Sequence, residues 1–391
     1  MSLFDEASLV LIPDGAKASK LYSVKPTDGS GDFTFSRSTT ATRVNDSGLI
    51  ESVATNVPRI DYSEGGCPSL LLEPQRTNLL TYSESIDDWF NFVPSGSNLT
   101  ITPNDVNSII EGELAERLVI DTSGGDIALR SQTFSATSGV DYSVSFWAKS
   151  NSTNYTIDLF RLSALNSSSA DVFANNVVLT NEWQKFEYTV NRSFSVATSL
   201  GIILDSDGDI SITAIQVEAG SYPTSYIPTN SAAVTRNADS CVLTGVADLL
   251  GDSEGTLYFE GDFKPESSNP RIAISDNTLN NRVEFGLNNN GNTQAVVIVG
   301  GVVQFNEFDV GILESGQNAK LAFAYESNRF KVYVNGTEVF SDLSGTTFSA
   351  DTLTHLYFAR GDGATPFYGD VKQLTVFPTA LTDTQLENLT S

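Results

Sequence analysis

Imidazole is almost absent from this sequence: His355 is the single histidine of a 391-residue chain. A Ser-His-Asp or Cys-His triad could be assembled only around that ring. Imidazole-based metal sites are excluded for the same reason. Cysteine is equally scarce. Cys67 and Cys241 lie far apart, so neither a CxxC zinc or redox motif nor a disulfide framework is available. Cations are few, with 22 Lys and Arg against 48 Asp and Glu and a net charge of −26. Such a surface repels phosphate backbones and acidic headgroups, so nucleic acid is not an expected partner. The opening MSLFDEASLVLIPDGAK lacks a basic n-region, and its apolar run Leu9 to Ile12 is far too short for a signal or spanning segment. Synthesis in the cytoplasm without membrane insertion is the expectation.

What remains is a chain built to fold. Charged residues make up 18% and hydrophobic ones 40%, a globular and not a disordered composition, long enough for two or three domains. Period-two alternation dominates after residue 115. Tyr142, Val144, Phe146 and Ala148 share one strand face, and Ser143, Ser145, Trp147 and Lys149 the other. Similar runs at 183–190, 210–217, 256–260, 282–287, 320–325 and 330–334 predict short strands at sandwich spacing. Asn335-Gly336 and Asp207-Gly208 both carry the type I′ hairpin signature. Thr382 to Leu389 has a capping-box start and apolar spacing suited to a short helix. His355 falls in a strand pattern, Thr352 to Phe358, as a half-buried side chain. The expected fold is all-β: two antiparallel β-sandwich jelly-roll domains, at 81–230 and 231–391, preceded by an irregular region over 1–80 that should be stabilised by packing on the first sandwich or on neighbouring subunits.

Three constellations could carry chemistry. Asp205, Asp207 and Asp209 space carboxylates at alternate positions, as in the front half of a calcium loop, although Ile210 and Gln216 stand where an EF-hand needs Gly and Glu. An acidic hairpin tip and a Ca²⁺ site are both open readings. Glu260 and Asp262 approach the ExDxxE strand of laminarinase-like sandwiches, but Pro265 replaces the second Glu, which leaves hydrolysis without its acid/base. Trp147 points away from Phe146 and is the candidate platform for a sugar ring, with core or subunit packing as the alternative. Asp207 is its candidate polar partner. In the last block Asp362 and Asp370 flank the turn Gly361 to Pro366. Arg59, Glu73 and Arg76, bracketed by Pro58 and Pro74, are candidates for an internal charge-assisted network.

The runs Gly31-Asp-Phe-Thr-Phe-Ser-Arg-Ser-Thr-Thr-Ala-Thr-Arg43, Asn45 to Glu51, Asn56 to Tyr62 and Leu70-Leu-Leu-Glu-Pro-Gln-Arg-Thr-Asn-Leu-Leu80 resemble a module of tailed-phage virion proteins of the head spike or fibre type. Gln216 to Thr229 and Thr235 to Asp239 are similar to that family's closing signature. The middle block also resembles a carbohydrate-binding-module jelly roll. Phe330 to Gly336, Phe367 to Phe377 and Ala380 to Leu386 resemble concanavalin-like, laminin-G-like sandwiches. The resemblance implies a non-enzymatic virion protein, a homotrimer held to the capsid or other virion proteins through residues 1–80, decorating the particle and binding cell-surface glycans weakly. A tail fibre or adsorption protein, and a bacterial lectin or glycoside hydrolase module, are the alternatives. Single sugar sites of this kind bind at about millimolar Kd, so several copies would act together.

Overall fold

The computed structural model describes residues 2–164, 170–264, 270–288, 290–309, 311–313 and 316–391. The chain divides into two units, one of Met1–Thr40, Val53–Pro74 and Ala238–Ser391, the other of Ala41–Ser52 and Gln75–Asn237. Among the described residues each is built almost wholly of antiparallel sheets, as the alternation predicts.

The first unit holds an eight-stranded and a nine-stranded sheet. In the eight-stranded sheet Glu254–Gly261 lies between Ala319–Glu326 and Gly369–Phe377. In the nine-stranded sheet Arg271–Ser275 lies between His355–Tyr357 and Arg282–Leu287. Alternate residues point inward from both: Leu257 and Phe259 from one sheet join Ile272, Ile274, Val283 and Phe285 from the other in one core. Asn335 and Gly336, with φ of 47° and 78°, make the expected tight turn between Arg329–Val334 and Thr337–Asp342. The helix Asp383–Thr390 begins on Thr382 with the expected capping box through Gln385 and buries Leu386.

Residues 1–80 do not form a region of their own, contrary to the sequence expectation. Leu9–Leu11 pairs with Gly369–Phe377, and Arg59–Asp61 and Ser69–Leu72 extend the same sheet. Phe33–Ser36 pairs with Ser240–Thr244 in the nine-stranded sheet. Leu9, Leu21, Phe33, Phe35 and Leu70 are buried in the same core as the C-terminal strands. Strands of three or four residues cannot close a core alone. They complete a distant sheet instead, and no local periodicity announces that.

The signature segments supply the polar interior. In the first unit Arg37 and Arg59 are fully buried around Asp239. Arg37 donates to Asp239 Oδ1 at 3.0 Å and to the carbonyls of Thr39, Ala54 and Val57. Arg59 donates to Glu73 Oε2 at 2.6 Å and to Asp239 Oδ2. The expected Arg59–Glu73 pair therefore exists. Arg76 belongs to the other unit, where its guanidinium lies 5.5 Å from the Tyr222 ring.

The second unit packs a five-stranded sheet and a six-stranded sheet around Phe146 and Phe160, whose rings stack at 4.4 Å. Its signature residues also bond internally. Asn78 donates to the carbonyls of Ile215 and Ile227. Glu218 accepts from Thr224 N at 2.7 Å and Thr224 Oγ1 at 2.6 Å. Gln216 accepts from Ile227 N at 2.7 Å. Side-chain groups thus satisfy backbone that no strand pairing reaches.

Candidate functional site

Asp205, Asp207 and Asp209 do not tip a hairpin. Ala197–Leu204 belongs to the six-stranded sheet and Gly208–Ala219 to the five-stranded one, so residues 205–207 carry the chain across the sandwich. Gly208 answers to packing instead of turn geometry: a Cβ there would fall 2.2 Å from the Tyr155 ring. Two of the three carboxylates are engaged, each with its own partners. Asp209 takes a two-pronged contact from Arg117, with Nε to Oδ1 at 2.9 Å and Nη2 to Oδ2 at 2.5 Å, and accepts from Asn151 at 2.9 Å. Hydrogen bonding from Arg117, against the opposing effect of burial, holds its carboxyl below the usual range. Asp207 accepts from Thr122 N at 2.7 Å and Oγ1 at 3.1 Å. Asp205 is exposed. Among the described residues no group of three or more His, Cys, Asp or Glu side chains is set to hold a metal ion. A chain stretched between sheets does not curl its carboxylates around one centre.

Trp147 lies on the outer face of the five-stranded sheet, as its alternation with Phe146 requires. It is half-buried against Ile50, Ile109, Ala214 and Tyr226, with Trp183 packed on the same cluster. It stands opposite Thr213, four residues along the strand from Asp209, or about 13 Å. The structure does not bring Trp147 and Asp207 together. Trp147→Ala is expected to lower the unfolding free energy of this unit by ~1–3 kcal/mol, since it empties a partly covered site. Urea unfolding followed by circular dichroism measures this. An unchanged midpoint together with lost glycan binding would restore Trp147 as a platform.

In the first unit the laminarinase-like residues have structural employment. Glu260 accepts from Tyr258 Oη at 3.1 Å. Asp262 is buried; its Oδ1 accepts from Asp370 N at 2.6 Å and its Oδ2 faces Lys264 Nζ at 2.6 Å. Asp370 accepts from Ser69 Oγ at 2.8 Å. Burial, reinforced by the Asp262 charge, pushes the Asp370 carboxyl up to about 7. Pro265 lies outside the described residues.

A group the sequence reading did not assemble sits on the outer face of the nine-stranded sheet. Leu356 is fully buried, which turns His355 and Tyr357 outward, half-buried, with their rings 5.5 Å apart and 9° from parallel. Tyr357 Oη donates to Asn277 Oδ1 at 2.6 Å. Asp276, next to Asn277, accepts from Thr278 and Asn281; burial would raise its pKa, but these donors outweigh it and the net shift is downward. On the other side the turn 360–364 brings Gly363 against the Tyr357 ring, where a Cβ would meet Cε1 at 3.4 Å. Arg360 donates to Asp362 from Nε at 2.9 Å and Nη2 at 2.7 Å. Burial holds His355 below its ordinary pKa, against the pull of Asp276, so the ring is neutral at pH 7. An aromatic surface bordered by amide, carboxylate and guanidinium groups suits the C–H face and hydroxyl rim of a sugar. The Asp362 turn and His355 were visible in the sequence. Their meeting with Asn277 was not, because the loop comes from a distant strand.

Residues 247–387 match the model of the concanavalin A-like lectin/glucanases superfamily. The Tyr357 cluster lies inside that match. No curated protein matches the chain. Among solved structures the chain is similar to the carbohydrate-binding module CBM40 of Ruminococcus gnavus IT-sialidase bound to α2,3-sialyllactose. That likeness has 14% identity over 38% of this chain and 91% of that one, with a TM-score of 0.33. It is similar also to domain 4 of AbnA, a GH43 extracellular arabinanase from Geobacillus stearothermophilus in complex with arabinotriose, with 18% identity, 39% and 73% coverage and a TM-score of 0.32. The NanB sialidase of Streptococcus pneumoniae shows 19% identity, 37% and 25% coverage and a TM-score of 0.32.

Proposed function

We propose that this chain is a lectin-like protein that binds glycans without cleaving them, through the outer face of the nine-stranded sheet around Tyr357. The observation that carries this reading is the half-open gathering of Tyr357, His355, Asn277 and the Arg360–Asp362 pair within the stretch matched to concanavalin A-like lectins. Hydrolysis needs two carboxylates free to flank one bond, whereas Asp262 is buried against Lys264 and Asp370 is bonded to Ser69. A single site of this size binds at about millimolar Kd, so affinity rests on many copies. A glycan array probed with bead-displayed protein, with and without calcium, is expected to give hits that weaken about tenfold or more in Tyr357→Ala, a loss on the scale of one ring contact and one hydrogen bond. Uncharged-glycan hits that survive that substitution would move the site elsewhere.

The finer setting we propose is the virion of a tailed phage, with the chain as a homotrimeric head fibre or spike component, made in the host cytoplasm. The order of the signature segments in 31–80 and 216–239 supports it. A bacterial lectin or glycoside hydrolase module is the second reading, and the family match over 247–387 supports it better than the first. Portal, capsid or tail genes beside this one are expected under the first reading and polysaccharide-utilisation genes under the second. Light scattering is expected to give three chain masses, and a monomer in an assembled particle would refute the trimer.

A further inference from the structure

Most arginines in the described residues are committed to carboxylates: Arg43 to Glu51, Arg117 to Asp209, Arg192 to Asp171, Arg329 to Asp383, Arg360 to Asp362. Arg130 and Arg161 are different. Among the described residues neither has an ion pair or a side-chain hydrogen bond, in a chain where acids outnumber bases by 48 to 22. Both stand on the six-stranded sheet of the second unit, and both are directly opposite the same residue, Gly201.

Opposed residues of neighbouring strands share a face, and neighbouring strands lie about 4.8 Å apart, so the two guanidinium stems rise about 10 Å apart with a glycine between them. Leu129, Ile202, Phe160 and Leu162 on the other face are buried, which turns the arginines away from the sandwich core. The row continues to Phe90, opposite Arg130 and 64% exposed. The next row is apolar: Phe92, 56% exposed, stands opposite Ala128, which faces Ile203, which faces Leu159. Two unpaired cations thus lie alongside an apolar stripe that crosses four strands.

We propose that this face binds an anionic polysaccharide, its carboxylate or sulfate groups taken by Arg130 and Arg161 and its sugar faces laid on Phe90 and Phe92. Guanidinium forks match both anions in plane and charge. The apolar stripe demands a ligand with flat C–H surfaces extended over several units, which a small anion lacks. The chain's overall negative charge acts against such a ligand only at long range and is screened within about 8 Å at physiological salt, leaving the local pair to decide. This extends glycan binding to the other sandwich and does not depend on the Tyr357 cluster.

The test is affinity electrophoresis of the full chain through gels containing polygalacturonate, dextran sulfate, fully methyl-esterified pectin, unmodified dextran or single-stranded DNA. Retardation by polygalacturonate or dextran sulfate, with none by the methyl ester or unmodified dextran, is expected; which of the two acts identifies carboxylate or sulfate. Arg130→Gln with Arg161→Gln is expected to weaken retardation at least tenfold, Arg130→Lys with Arg161→Lys to recover part of it, and Tyr357→Ala to leave it unchanged. Both arginine pairs should keep the wild-type circular dichroism spectrum. Equal retardation by charged and uncharged polymers, retention by DNA alone, no retardation, or an unaffected Gln pair would overturn the proposal. Loss in Tyr357→Ala alone would return all glycan binding to the first unit.

Discussion

Asp239→Ala is expected to destabilise the first unit by ~3–5 kcal/mol, the loss that follows when one partner of a buried charge network is removed. Asp239 has no exposed side-chain surface and stands between two arginines that have none either. Its backbone N–H also donates to the Glu73 carbonyl at 3.0 Å, and its Oδ2 accepts from Glu73 N at 2.9 Å. Truncation takes from Arg37 and Arg59 the carboxylate they share, in a site where neither side chain has exposed surface. Urea unfolding by far-ultraviolet circular dichroism measures the loss. Tryptophan fluorescence reports on the other unit, which holds Trp89, Trp147 and Trp183, and serves as the internal comparison. An unmoved dichroism midpoint would show that the network is not what joins the signature segments.

Stability is expected to fall as pH rises from about 4 to about 7. Asp370 has an ordinary pKa of 3.8 and is held at about 7 in the fold by burial and by Asp262. The folded state therefore binds this proton more tightly than the unfolded chain does. Its stabilising contribution is complete below about pH 4, declines as pH rises and is gone above about 7, on the order of 3 kcal/mol or roughly 5–10 °C in Tm. Glu116 in the second unit, raised to about 8 by burial and by Asp87, adds a slope of the same sign. Asp209, Asp276 and Asp362 are depressed and work in the opposite sense, lost only as pH drops below the ordinary carboxylate range. The optimum should therefore lie near pH 4–5. Asp370→Asn keeps the acceptor for Ser69 and should flatten the slope of the first unit between pH 4 and 7. A wild-type Tm that rises with pH over that interval would contradict the assignment.

What could be read from the sequence was local. The Asn335-Gly336 turn and the Thr382 cap depend on neighbouring residues, and the strand alternation around Phe146 needed only a period of two. Arg59 with Glu73 was within reach because both lie between Pro58 and Pro74, in one short stretch of chain. Arg37 was not, since its carboxylate lies 202 positions away, nor was Tyr357, whose amide partner is 80 positions distant. Asp207-Gly208 misled for a physical reason: glycine serves tight turns and close ring contacts alike, and only the fold shows that Tyr155 is the cause. The 1–80 segment misled because strands of three or four residues have too few positions to display a period.

Binding without cleavage at the Tyr357 face is the proposed activity of this chain. One measurement addresses it most directly: incubate multivalent protein with the glycan polymer that heads the array, then determine from the same sample the fraction of protein bound and the length of the polymer. Bound protein, polymer of unchanged length, and release of the protein in Tyr357→Ala are expected. Polymer that shortens with time, and stops shortening in Glu260→Gln, would contradict it.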